Sequence, residues 1–316
     1  MSCFSTRSLK PAAYAGAVAG ASRLKRILEG GRFALTAEIT PPASSDLSEL
    51  LSKAAPLKDL ADAINVTDGA GARAHLDSTI AASALLQNGI EPILQLTCRD
   101  RNRIALQSQL LGAAALGISN ILALRGDDPK AGDQPEAKPV FDLDSAGLVA
   151  TAVAIRDLHQ LPHGRKVGGF ANFFVGAADA PIDPPQGWVP AGLMNKIRSG
   201  AQFAQTQFCM DAGVLRRYMA LLAEQGLAGR LHLLIGVAPL ASAKSARWIK
   251  QNLFGSIIPD WMIERLDNAG DPAAEGCAMC VDLLREYSEI PGVGGAHIMA
   301  PLNEGAITKV MTTLRA

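Results

Sequence analysis

Aromatic side chains make up only 5% of this 316-residue chain, and neither sign of charge is in excess: 30 Lys and Arg stand against 30 Asp and Glu. A balanced chain has no global field to draw nucleic acid or an acidic membrane surface, so no nucleic-acid partner is expected. No apolar run approaches the roughly 20 residues of a membrane span, so no membrane partner is expected either. Five cysteines, Cys3, Cys98, Cys209, Cys277 and Cys280, make no disulfide framework and point to a reducing compartment. Cys277 and Cys280 form a C-x-x-C inside the helix-like "EGCAMCVDLL". No second pair completes a zinc site, and two buried small residues is the better reading. The five histidines, His75, His159, His163, His232 and His297, show no metal-ligand spacing, so no metal is expected.

What the chain has in quantity is small and apolar. Hydrophobic residues reach 48% and charged ones only 19%, with 30 glycines. That composition suits a large core in which helices pack closely on a sheet. The first ten residues are basic and "PAAYAGAVAGA" is mildly apolar, an outline of a signal peptide. That stretch contains no Leu, Ile or Phe, however, and makes a poor hydrophobic region. "SRLKRILEGG" then reads as an amphipathic helix with a glycine stop. The expectation is a cytoplasmic protein with an N-terminal extension over residues 1–30 and one catalytic domain over 31–316.

Short β-rich runs alternate with longer helical patterns along that domain. Strands are expected at 34–40, 63–67, 92–98, 120–126, 167–176, 203–209, 231–238 and 296–301. Between them lie helix-like segments such as "RNRIALQSQLLGAAALG" and "AGVLRRYMALLAEQG". This alternation implies parallel strands joined by crossover helices. Eight units at this length favour a closed (β/α)8 TIM barrel, and no G-x-G-x-x-G opens the first unit as a Rossmann fold would require. The irregular pieces 126–142 and 177–190 are expected to be loops at the active end.

In such barrels the chemistry sits at the C-terminal ends of the strands. The polar residues expected there are Glu38, Thr67, Asp68, Gln95, Thr97, Arg125, Asp127, Gln207 and Asn303. Glu38 interrupts the otherwise uncharged "ALTAEIT". An apolar setting disfavours a carboxylate's charge, which suits a proton donor near neutral pH. A salt bridge to Arg125 is the competing reading. Gly126 lets the backbone turn or approach a flat ring closely. Asp128, ahead of Pro129, reads as a solvated turn residue.

Some chemistry is missing from this rim. No Lys stands at a strand end, which speaks against a Schiff base, and no G-x-S-x-G supports nucleophilic hydrolysis. One acid, several hydrogen-bonding side chains and glycines remain. That set suits an organic cofactor oriented by the protein.

These residues carry a resemblance. "AEITPP" around Glu38, "NVTDG" at 65–69, "LTCRD" at 96–100, "ALRGDDP" at 123–129, "KIRSGAQFAQTQ" at 196–207, "GVAPL" at 236–240 and "IPDWM" at 258–262 occur in the order found in methylenetetrahydrofolate reductases. The resemblance implies a flavoprotein barrel that uses FAD and NAD(P)H to reduce a folate substrate. It makes Glu38 the general acid and places Asp127 near the flavin and the pterin. It gives Gln207 to folate, gives Thr67, Arg125 and Ala178 to FAD, and brings Lys196 towards the flavin's phosphates. Gln95 and Gly126 join the expected cofactor contacts, Gln95 where better-known members carry His. Ala180 stands where they carry Tyr, and Val189 and Gly192 where they carry Asp and Asn. Two other readings stay open: a flavin-independent folate enzyme on the same barrel (a methyltransferase or a reductase taking hydride directly), and a non-catalytic folate-binding barrel. A homo-oligomer is compatible with all of them.

Overall fold

Eight parallel strands close on themselves in chain order in the computed structural model, which describes residues 22–301 and 303–316. The strands are β1 (Ala34–Ile39), β2 (Ala63–Val66), β3 (Pro92–Thr97), β4 (Asn120–Leu124), β5 (Phe174–Asp179), β6 (Phe203–Phe208), β7 (His232–Val237) and β8 (Val293–Ile298). β1 pairs with both β2 and β8, which completes the ring. The helices around it are α1 (Arg23–Glu29), α2 (Leu47–Ala54), α3 (Ser78–Gln87), α4 (Arg103–Ala115), α5 (Ser145–Leu158), α6 (Ala191–Arg198), α7 (Ala212–Glu224), α8 (Ala243–Asn252), α9 (Asp260–Asp267), α10 (Pro272–Ser288) and α11 (Glu304–Arg315). The architecture is the expected (β/α)8 barrel.

Local chemistry explains where the helices begin. Asp77 accepts hydrogen bonds from the Thr79 and Ile80 amides, Asn102 from Ile104 and Ala105, and Asp144 from Gly147. Asp211 does the same for Val214, and Ser242 closes a capping box with Ser245. Each cap satisfies amides that the first helical turn leaves without partners. The βα loops therefore end on short polar residues, and the mouth of the barrel is lined with them.

Two strands depart from expectation. β5 starts at Phe174, not at residue 167, because Gly168 and Gly169 (φ +82°) interrupt the run and the ladder begins where Phe174 meets Asn120. It then runs on to Asp179, so Ala178 lies within the strand and the following loop begins at Ala180. β8 begins three residues early, at Val293, across two glycines that disguise it. Gly295 is needed there: a Cβ would stand 2.3 Å from the Ala34 carbonyl oxygen.

Side chains that alternate inward fill the barrel in layers. The bottom layer is apolar, with Ala34, Ala63, Ile93, Leu122, Phe174, Phe203 and Leu234. Phe174 stacks on Phe203 at 4.8 Å, and Gly176 leaves room for the Phe203 ring, which a Cβ would approach to 2.3 Å. α1 closes this end by burying Leu24, Ile27 and Leu28 against the same layer. Full burial of one such leucine is worth about 1.5–3 kcal/mol. Glu91 pins the start of α1 by accepting from the Ser22 hydroxyl and the Arg23 and Leu24 amides. A carboxylate at a helix N-terminus is also favoured by the helix dipole. Residues 1–21 of the expected extension lie outside the described residues.

Candidate active site

Above the apolar floor the barrel interior turns polar. Asn65 on β2 and Gln205 on β6 reach each other across the barrel and exchange amide hydrogen bonds of 2.6 and 3.0 Å. Gln205 Nε2 also donates to Thr36 Oγ1 at 3.1 Å. The Thr36 hydroxyl stands 3.1 Å from both the Ala296 carbonyl, to which it donates, and His297 Nδ1. All four side chains are buried, His297 to 2% exposure. Buried polar groups are stable only when paired in this way.

Glu38 sits on top of this network. Its Oε2 accepts from Gln95 Nε2 at 2.9 Å and faces His297 Nε2 at 3.3 Å. Both protein contacts fall on one oxygen. Oε1 has no hydrogen-bond partner among the described residues, on a side chain that is 21% exposed. The carboxyl is thus held from below and presented to the mouth. Arg125, the salt-bridge partner weighed for Glu38, lies elsewhere, with its guanidinium 4.5 Å above the Phe141 ring.

Counting donors locates a proton. With the Thr36 hydroxyl proton given to Ala296, His297 Nδ1 bonds to Thr36 only as a donor. A hydrogen bond between His297 Nε2 and Glu38 Oε2 then needs one further proton, on either partner. His297 was missed in the sequence because it carries no ligand spacing. Its signal was positional: a lone imidazole in the apolar run "GAHIM", on the strand that closes against β1.

The other expected site residues fall into separate groups. Gln207, at the end of β6, accepts the Phe208 amide on Oε1 at 3.0 Å, and its NH2 group has no partner among the described residues. Thr67 is 4% exposed, and its buried Oγ1 has no partner. Gly126 has φ +91°, and a Cβ there would stand 2.9 Å from Arg99 Cβ and 3.1 Å from Thr97 Cβ. Asp127 is exposed and accepts the Gly71 amide at 3.1 Å, tying the β4 exit to the β2 loop. Asp128 is exposed and caps a short turn through the Lys130 amide. Lys196 Nζ donates to the Ala178 carbonyl at 2.5 Å, beneath the end of β5. Asp68 accepts on Oδ2 from the Thr97 amide and hydroxyl and from Arg101. Asn303 lies exposed at the start of α11. Glu38 and Gln95 are therefore in contact, as are Ala178 and Lys196, while Arg125 stands apart.

Burial pushes the Asp179 carboxyl up, against the Tyr218 hydroxyl that donates to it at 2.6 Å and against nearby Lys196. Cys280 is buried and Cys277 partly so, and both are free thiols along with Cys98 and Cys209. The C-x-x-C is helix packing, as expected. Among the described residues no helix is long and apolar enough to cross a membrane.

Known proteins place this geometry in context. A "5,10-methylenetetrahydrofolate reductase" of Pectobacterium carotovorum is 28% identical over 279 residues, covering 84% of this chain and 85% of that protein. A "probable methylenetetrahydrofolate reductase (NADPH)" of Caenorhabditis elegans is 26% identical over 246 residues, 75% of this chain but 34% of the longer relative. In three dimensions, a protein from Clostridium thermocellum described as binding two copies of 5-methyl-5,6,7,8-tetrahydrofolic acid shares the fold, with a TM-score of 0.67 at 13% identity. That match covers 92% of this chain and 99% of the other. The family profile described as methylenetetrahydrofolate reductase matches residues 23–315, and the chain belongs to that family.

Proposed function

We propose that this chain reduces 5,10-methylenetetrahydrofolate to 5-methyltetrahydrofolate with NAD(P)H, through bound FAD, and that Glu38 is the general acid. The observation that carries this reading is the Glu38 carboxyl, held on Oε2 by Gln95 and His297 while Oε1 stays free. A folate methylene bridge does not accept hydride until one of its C–N bonds opens. Proton delivery from Glu38 to N10 breaks the N10–carbon bond and leaves a cation at the carbon that becomes the methyl group. His297 Nε2, against Glu38 Oε2, is placed to share that proton, and Thr36 orients the imidazole from beneath. Gln207 offers its NH2 to the folate, and Asp127 takes the pterin edge.

The residues at the mouth fit a flavin. An unpartnered buried hydroxyl at Thr67 is a feature that a flat, hydrogen-bonding ring would complete, and the positive φ of Gly126 turns the chain at the mouth. Thr67, Gln95, Gly126 and Ala178 would hold the ring, with Arg125 and Lys196 towards its phosphates. When bound, the flavin supplies the hydride. Four free thiols agree with a reducing, cytoplasmic setting. A flavin-free reductase is the second reading. It is favoured by the present commitments of Arg125 to Phe141 and of Lys196 to the Ala178 carbonyl.

Two measurements decide between them. Purified protein reconstituted with FAD is titrated anaerobically with NADH and then with methylenetetrahydrofolate, following the flavin absorbance. Glu38→Gln is expected to slow the folate step by about 10²–10⁴ while leaving flavin reduction by NADH intact. Equal losses in both steps would make Glu38 structural. Full activity in a rigorously flavin-free preparation would select the second reading.

A further inference from the structure

Beyond the Glu38 centre, the exits of β2, β3 and β4 enclose a second cavity of about 390 Å³. We propose that it is an oxyanion cup, receiving the anionic end of a ligand that lies across the barrel mouth: a nucleotide phosphate or a glutamyl carboxylate. This rests on the folate and dinucleotide reading above and adds a binding site to it.

The case begins with groups that have nothing to bond. Arg99 is 4% exposed; its Nε and Nη2 are held by Asp100 at 2.8 Å and by the Gly69 carbonyl at 3.1 Å, but its buried Nη1 has no partner. Arg101 is fixed through its two terminal nitrogens by Gln109 and Asp68, and its buried Nε is likewise unpartnered. His75 donates to the Ala70 carbonyl through Nε2 at 3.4 Å, which makes its buried Nδ1, without a partner among the described residues, an acceptor that a ligand hydroxyl or amide could meet. All three residues line the same cavity. A buried donor without an acceptor costs about 1–3 kcal/mol, and more when it is charged. Two such donors, Arg99 Nη1 and Arg101 Nε, around one void mark a place for an acceptor.

Charge and access agree. Arg73 also lines the cavity, is exposed, and has no side-chain ion pair or hydrogen bond among the described residues, so its fork-shaped guanidinium is available to a phosphate or carboxylate. Asp68, Asp77 and Asp100 border the same space, and each already accepts hydrogen bonds. Asp68 serves Thr97 and Arg101, Asp77 serves the Thr79 and Ile80 amides, and Asp100 serves Arg99. Each acid is thus tied to a protein donor through at least one oxygen, and the buried unfilled positions on the arginines are donors. Asp127, proposed above to touch the pterin, tethers the Gly71 amide in the β2 loop and so links the cup to the reaction centre.

Calorimetric titration of the full chain tests the assignment with four probes: FAD, riboflavin, 5-methyltetrahydrofolate, and its analogue without the glutamate. Arg73→Ala and Arg99→Lys are expected to weaken binding of the anionic member of one pair by about 10- to 100-fold and spare its uncharged counterpart. The pair that responds identifies the source of the anion. Arg73→Ala should leave the melting temperature unchanged, since the Arg73 side chain is exposed and has no hydrogen bond or ion pair among the described residues, so this variant tests the cup even where Arg99→Lys unsettles the fold. Wild-type affinity of Arg73→Ala for all four probes, or equal losses for both members of a pair, would overturn the cup and leave the folate reading standing. Failure of the wild-type protein to bind any probe would overturn both.

Discussion

At the scale of single residues, the site works by assigning protons to particular atoms. Thr36 is the pivot, accepting from Gln205 and adjoining His297 Nδ1 while it bonds the Ala296 carbonyl. Thr36→Val keeps the shape but strands the imidazole N–H, a loss of about 1–3 kcal/mol for a buried donor. Denaturant titration should show that loss, and the pH–rate profile of folate reduction should shift while flavin reduction by NADH does not. An unmoved profile would sink the imidazole-orienting role. Asp179 offers a test of a different sign. Burial raises its carboxyl above the ordinary value of 3.8, so between that value and the raised one the folded state holds more protons than the unfolded state. Stability therefore falls as pH rises through that window. Asp179→Asn keeps an acceptor for Tyr218 and removes the charge. It should be more stable than wild type near neutral pH, with the gap closing as pH falls towards 4. A variant that is less stable at neutral pH would mean that attraction to Lys196 outweighs desolvation.

At the scale of elements, close packing depends on a few missing side chains. Gly276 lies inside α10, where a Cβ would stand 1.8 Å from the Leu240 backbone carbonyl oxygen. Gly305, inside α11, has nothing within 4 Å of the same position. Helix propensity favours alanine at both positions by up to about 1 kcal/mol. Overpacking against rigid backbone reverses that at the first, costing roughly 1–3 kcal/mol. Gly276→Ala should lower the melting temperature and Gly305→Ala should raise it or leave it unchanged. Two stabilised variants would mean that α10 stands further from the β7 exit. Glycine is also where the sequence misled. The start of β5 was placed too early because Gly168 and Gly169 were taken into the run, and that of β8 too late because Gly294 and Gly295 look like breaks. Only the neighbouring strand decides whether such a glycine ends a ladder or enters one. Short apolar runs such as "PILQLTC" and "FAQTQFC" were legible because strands buried on both faces read as near-continuous apolar stretches between helical patterns.

At the scale of the whole molecule, the fold and the site were legible to different degrees. The order of strand-like and helix-like segments, their spacing, and the polar caps between them are local properties. They determined a parallel (β/α)8 barrel with its chemistry at the strand ends, and they singled out Glu38, Gln95, Thr67 and Gln207 as rim residues. Closure of the barrel decided the rest, because contacts across its interior join residues far apart in the chain. Glu38 meets His297 at a separation of 259 residues, and Asn65 meets Gln205 at 140. No pattern near Glu38 could say that its hydrogen-bonded carboxyl would lean on an imidazole from the last strand and not on Arg125. Nor could the sequence say that Arg99, Arg101 and His75 would line one cavity with unpartnered nitrogens. Sequence patterning tells each side chain whether to face the core, but its partner there is chosen by strand register and by the angle at which the sheet closes.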